Sequence, residues 1–199
     1  VNENDPAINK PTKYIGKTFT KEKAENLSNR YKWNIAEQEN DSWRRVVPSP
    51  NPLYIFNGNS IKHLVDFGTI VIAGGGGGIP SFNTSKGTLR GLDGVVDKDK
   101  TAALIGRIIR AEEYFIITDV DNIYLNYNSK NQKKINTATE TEVKGWLKDG
   151  HFGLGSMEPK IKSALYFLKH HGKKVVITSI DKIEDALNNK AGTHITKDK

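Results

Sequence analysis

The chain has 199 residues, of which 36% are hydrophobic and 27% charged, and its formal net charge is +7. That length suffices for one domain with its own core, or a domain with a small appendage, and the absence of cysteine excludes disulfides, thiolate metal sites and a cysteine nucleophile. No apolar run approaches a membrane span and no signal-peptide pattern opens the sequence, so the expected compartment is the cytoplasm; the lysines are scattered, which argues against nucleic acid and for small anionic substrates.

Residues 1–16 lack periodicity and open with neither a methionine nor a strand, which suggests a segment of something longer. Residues 20–32 read as a helix with Thr20 as cap and Glu22 in the first turn. Residues 35–42 are polar and read as a loop or hairpin tip, and residues 43–50 end in prolines and support at most a short strand. Asn59 is placed to cap a short helix that carries Ile61, Leu64 and Val65 on one face and stops at Gly68. Residues 69–73, Thr-Ile-Val-Ile-Ala, are apolar and β-branched with a breaker behind them, the pattern of a buried strand.

Five consecutive glycines, Gly74, Gly75, Gly76, Gly77 and Gly78, then precede Ile79-Pro80. Such a run costs conformational entropy and makes sense where the main chain takes positive φ or lets something approach closely. At the end of a strand that something is a phosphate or small anion held by N–H groups. A flexible linker is the alternative, disfavoured by a strand pattern on one side and Ile-Pro on the other. The dinucleotide fingerprint fails because the sixth position from Gly74 is Ile79, and the Gly-Lys-Ser/Thr of a P-loop is absent.

Residues 80–91 read as a polar excursion. Asp99 is placed to cap a helix over residues 100–110 with Ala103, Leu104, Ile108 and Ala111 as its apolar stripe. Residues 114–118 form a second apolar strand pattern ending in Asp119-Val120-Asp121. Thr139 and Glu142 have capping-box spacing at the start of a helix over 139–148. A further helix begins near Pro159 and carries Ile161, Ala164, Leu165 and Leu168. Residues 175–178 read as a strand, 181–188 as a helix and 193–196 as a last strand. Strands separated by helices imply a three-layer α/β fold with a mostly parallel sheet.

Three features join the glycines at strand ends or helix starts. Lys98 stands between Asp97 and Asp99, where an ammonium orients phosphoryl oxygens; the same residues read as a helix cap with a solvated lysine. Residues 155–160, Gly-Ser-Met-Glu-Pro-Lys, supply free N–H groups and a lysine one turn into a helix, or simply an ordinary proline-initiated helix. Thr118-Asp119-Val120-Asp121, followed by Tyr124, is either a ligand edge or an aspartate turn. Glycine amides, lysines and an organising aspartate without a nucleophilic serine suit phosphoryl transfer, which requires placement and charge neutralisation more than covalent help.

These stretches, with residues 10–16 (Lys-Pro-Thr-Lys-Tyr-Ile-Gly), 43–50 (Trp-Arg-Arg-Val-Val-Pro-Ser-Pro) and 150–152 (Gly-His-Phe), closely resemble the carbamate kinases, of the amino-acid kinase fold, over essentially the whole chain. The resemblance implies reversible transfer of a phosphoryl group from carbamoyl phosphate to ADP, giving ATP and carbamate, with Mg2+, at the end of arginine fermentation. It implies a protruding subdomain over residues 5–50, whose Lys13 reaches over the phosphoryl group, and a nucleotide-binding core over residues 51–199. It makes Lys98 and Lys160 phosphate ligands and Asp99 the organiser of the lysines. Gly74, Gly75, Gly76 and Gly77 would face the phosphoryl or carbamate group; Thr118, Asp119, Tyr124, Gly155 and Met157 would line the nucleotide pocket; no residue is assigned to a metal. It also implies a homodimer. The Gly-Gly-Asn-Ala and Gly-Asn-Gly-Pro-Gln stretches of such kinases are not in this sequence, so the expectation is a carboxyl-terminal part of one. The competing expectations are a nucleotide-binding module without turnover and another amino-acid kinase.

Overall fold

The computed structural model describes residues 1–38, 40–153 and 156–198. It divides into two compact units: the first comprises Val1–Tyr54 and Gly74–Thr101, the second Ile55–Ala73 and Ala102–Lys199.

In the first unit, β1 (Lys13–Phe19), α1 (Lys21–Tyr31), β2 (Asn34–Gln38) and β3 (Ser42–Val47) precede the small hairpin of β4 (Ser81–Asn83) and β5 (Leu89–Gly91). The sheet order is β1-β3-β2, antiparallel throughout, with Lys13 opposite Val47 and Asn34 opposite Val46. Val46 and Val47 are buried, as are Ala24 and Val96, and these small side chains are what the unit closes over. Three expectations change here. The featureless opening segment contains the start of β1, the polar stretch at 35–42 carries β2 up to Gln38 before its turn at Asn40 and Asp41, and the excursion at 80–91 is a hairpin. Each strand is short, polar and half-exposed, so its pairing is set by backbone hydrogen bonds and turn geometry rather than an apolar pattern. Thr20 does stand at the cap of α1, although its side chain makes no cap hydrogen bond.

The second unit contains α2 (Gly58–Asp66), the larger part of α3 (Lys98–Ile109), β6 (Glu113–Thr118), β7 (Ile123–Leu125), β8 (Lys133–Ile135) and β9 (Thr137–Thr139). They are followed by α4 (Glu140–Lys148), α5 (Met157–Lys169), β10 (Lys174–Ser179), α6 (Ile183–Leu187) and β11 (Thr193–Thr196). Its four-stranded sheet has the order β6-β10-β11-β9. β6 and β10 are parallel, as are β11 and β9, whereas β10 and β11 run antiparallel. The sheet is therefore mostly parallel, with one reversal where β11 returns beside β10. Ile161, Ala164, Phe167 and Leu168 of α5 pack with Val175 and Ile177 of β10 and Val143 of α4 into one buried cluster. The stripe expected on α5 is this face. Thr139 accepts from the Glu142 amide and Glu142 reaches back to the Thr139 amide, so the capping box forms as its spacing indicates.

Two expectations fail in this unit. Residues 69–73 form no strand, and Ile70 and Ile72 are 95% and 99% exposed. An extended apolar run becomes a strand only when a neighbour takes its backbone hydrogen bonds, and among the described residues none does. Asn59 lies inside α2 rather than capping it; the helix begins at Gly58, where an added Cβ would stand 3.0 Å from the Ile108 side chain. The helix thus starts two residues earlier than a capping rule suggests, with Asn57 at its cap position.

Candidate functional site

In the first unit the candidate residues gather around the start of α3. Asp97 Oδ1 accepts from the backbone N–H groups of Asp99 and Lys100 at 2.9 and 3.4 Å, and the Thr101 amide donates to the Asp97 carbonyl. Asp97 is therefore the cap, two residues earlier than the expected Asp99, which lies buried in the first turn. Lys98 opens the helix and is exposed, at the end where the helix dipole favours anions. Lys13, the first residue of β1, brings its Nζ to 2.6 Å from the other oxygen, Asp97 Oδ2. Burial alone would raise the Asp97 carboxyl; the hydrogen bond and charge of Lys13, with the two helix amides, outweigh it and hold the group below its usual range.

The glycine bend packs on the same turn. Gly74, Gly75, Gly77 and Gly78 have φ of 83°, 45°, 128° and 92°, the conformations for which glycine is required, and the Gly77 amide closes a turn onto the Gly74 carbonyl at 2.8 Å. The buried Thr101 hydroxyl donates to the Gly77 carbonyl at 2.6 Å. A Cβ on Gly77 would fall 1.8 Å from the Val96 carbonyl oxygen, so this glycine also answers a close approach of two main chains. Around Gly75 and Gly76 there is open space. The bend thus has one gripped end and one open shoulder. Gly94 is a second close approach: a Cβ there would meet the Pro48 carbonyl oxygen at 2.8 Å.

The second unit holds the other candidates. Thr118 ends β6 and its hydroxyl donates to Asp119 Oδ1 at 2.9 Å, with Asp119 exposed. Asp121 accepts from Ser179 Oγ at the end of the adjacent β10, at 2.5 Å. Tyr124, half-buried on β7, has its ring 5.8 Å from that of Tyr127. Met157 and Lys160 lie in the first turn of α5, both half-buried, and Met157 packs against the core cluster. Gly155 lies outside the described residues. Asp119, Val120, Asp121 and Asn122 connect β6 to β7 over a buried polar knot that sequence reasoning missed. The Asn122 amide donates to the Ile135 carbonyl at 3.0 Å, and Thr193 Oγ1 accepts from the Ile123 amide at 2.8 Å. Both residues are buried, and they set where Asp119 and Tyr124 can stand. Nothing local marks either one; their partners lie 13 and 70 residues away.

Among the described residues, no group of three or more His, Asp or Glu side chains could hold a metal. Nor is any helix long and apolar enough to cross a membrane.

A family model for the amino acid kinase family matches residues 17–179. The carbamate kinase of Staphylococcus epidermidis is 41% identical over 198 residues, covering 99% of this chain and 64% of that protein. Carbamate kinase 3 of Staphylococcus aureus is 42% identical over 196 residues, covering 98% and 63%. Among solved structures, the carbamate kinase of Giardia lamblia bound to AMP-PNP is 38% identical with a TM-score of 0.87, covering 100% of this chain and 63% of that one. The α/β fold is thus the one these kinases share, and the chain spans somewhat under two thirds of the length of the relatives it matches.

Proposed function

Because the chain belongs to the amino acid kinase family, we propose that it serves reversible phosphoryl transfer between carbamoyl phosphate and ADP, as part or all of a carbamate kinase. The observation that carries this reading is the start of α3, where Lys98, capping Asp97, the Lys13 ammonium and the glycine bend meet in one turn. An anion is the ligand this arrangement suits, because it offers ammonium groups, a helix amino end and main chain without side chains. The nucleotide held by the Giardia relative, AMP-PNP, supports a phosphate chain as that anion.

In the proposed reaction a terminal oxygen of the ADP β-phosphate forms a bond to phosphorus as the bond from phosphorus to the carbamate oxygen breaks. Carbamate leaves as an anion, so no proton has to move and no imidazole base is required. This agrees with His151, whose Nδ1 lies 3.1 Å from Asn126 Oδ1, in a position suited to structure. The protein's task is to spread and balance charge on the transferring group. Lys13, Lys98 and Lys160 supply positive charge, and Asp99 organises that charge. Gly74, Gly75, Gly76 and Gly77 offer amides on the phosphoryl or carbamate side, and Thr118, Asp119, Tyr124, Gly155 and Met157 receive the nucleoside. Magnesium fits as an ion carried in on the nucleotide phosphates, since such ions are commonly held through substrate oxygens and few carboxylates; it would neutralise phosphate charge. The reading further places the protein in arginine breakdown in the cytoplasm and as a homodimer.

A second reading is a nucleotide-binding module without turnover. The apolar run at 69–73, which pairs with no strand among the described residues, favours it. A coupled assay for ATP formed from carbamoyl phosphate and ADP separates the two. ATP production abolished by Lys160→Ala supports the kinase, and ADP binding with no ATP supports the module.

A further inference from the structure

Given the phosphoryl-transfer reading, on which this rests, we propose that Asp97 is a positioning residue that holds Lys13 for the transferring phosphoryl group. Its carboxylate is divided between two tasks. Oδ1 is committed to the amides of Asp99 and Lys100, which ties the carboxylate to the helix start. Oδ2 takes the Lys13 ammonium at 2.6 Å. The Asp97 side chain is 7% exposed and that of Lys13 37%, so the pair is anchored at its buried acidic end and open at its basic end.

Lys13 is also fixed from its backbone, since it lies opposite the buried Val47 in the β1–β3 ladder. A long, flexible side chain thus begins on a strand and ends on a helix cap, 84 residues away in sequence. An ammonium carries three N–H donors, so a phosphoryl oxygen can accept from one of them while Asp97 Oδ2 accepts from another. A lysine held this way has already lost the rotamer freedom that binding would otherwise have to remove. Asp99, the organiser expected from the family resemblance, lies in the first turn of α3, and the ion pair to Lys13 is made by Asp97.

The test uses Asp97→Asn, because asparagine caps helices about as well as aspartate and so removes the charge while keeping the cap. Asp97→Ser, another capping residue, serves if the first variant folds poorly, with thermal melting as the control. Two readouts are taken on the same 199-residue chain. The first is the rate at which Lys13 is acetylated by acetic anhydride, followed by peptide mass spectrometry with and without inorganic phosphate. The second is ATP formation. We expect Lys13 labelling to rise about tenfold in Asp97→Asn and protection by phosphate to be lost, with kcat falling about tenfold to a hundredfold while KM for ADP stays within about twofold. Lys13 labelling and phosphate protection unchanged in Asp97→Asn would overturn the inference, whatever the activity. If the unmodified chain forms no ATP but labelling and protection respond as stated, turnover by these 199 residues alone fails and the hold of Asp97 on Lys13 stands.

Discussion

The Thr101 hydroxyl lies 2.6 Å from the Gly77 carbonyl oxygen, so the first turn of α3 grips the glycine bend by its main chain. The grip makes the glycines unequal. Gly77 combines φ of 128° with a Val96 carbonyl oxygen 1.8 Å from any added Cβ, and Gly77→Ala should destabilise the chain by about 2 kcal/mol or more in urea unfolding. Gly76 has no atom within 4 Å of an added Cβ, and Gly76→Ala should change stability by less than about 1 kcal/mol. Equal effects of the two substitutions would mean the bend is not held as described.

Acid should weaken the first unit through Asp97. Its folded carboxyl is held below the usual 3.8, so the stabilisation is present above that value and is lost as pH falls through the lower folded value. The charged groups to consider are Lys13, which faces it, and Lys98, Asp99 and Lys100 in the turn it caps. Unfolding followed between pH 5 and pH 2, as an approximate range, should show a flatter acid limb in Asp97→Asn than in the unmodified chain. Parallel limbs would remove Asp97 from the account.

Thr139→Ala should cost about 1 kcal/mol, since the Thr139 side chain and Glu142 satisfy each other's backbone donors at the start of α4. Denaturant melts of the single and double variants with Glu142→Ala should show coupling between the two positions. Strict additivity would contradict a reciprocal box.

What the sequence displayed was local. The capping box, the stripe on α5 and the apolar β10 are each contained in a short window, and each appears where the pattern sits. The positive-φ glycine bend was equally readable, because only one residue type tolerates that backbone. What escaped was set by distant partners. β2 is polar and exists because β3 pairs with it, and Asp97 takes the cap from Asp99 while also binding Lys13 across the chain. Asn122 and Thr193 meet only in three dimensions. Lys13 as a site residue came from family resemblance alone, since a lysine opening an exposed strand carries no local mark.

The apolar run at 69–73 has the reverse lesson: its pattern was legible but its partner is absent among the described residues. Phe67, Ile70 and Ile72 are 89%, 95% and 99% exposed. A contiguous exposed apolar surface of this kind should bind the dye ANS. Replacing Ile70 and Ile72 together by aspartate should reduce the dye signal several-fold, on the order of threefold, without lowering the melting temperature. Undiminished dye binding, or a large loss of stability, would show that these side chains are covered.

Under the proposed function Lys98 and Lys160 each contribute positive charge to the binding of nucleotide phosphate. The most direct measurement is calorimetric titration of the 199-residue chain with ADP and magnesium, repeated with Lys98→Ala and with Lys160→Ala. Binding by the unmodified chain and a loss of about tenfold or more in affinity with each substitution, equivalent to about 1.4 kcal/mol, are expected. Affinity for ADP unchanged by both substitutions would contradict that contribution.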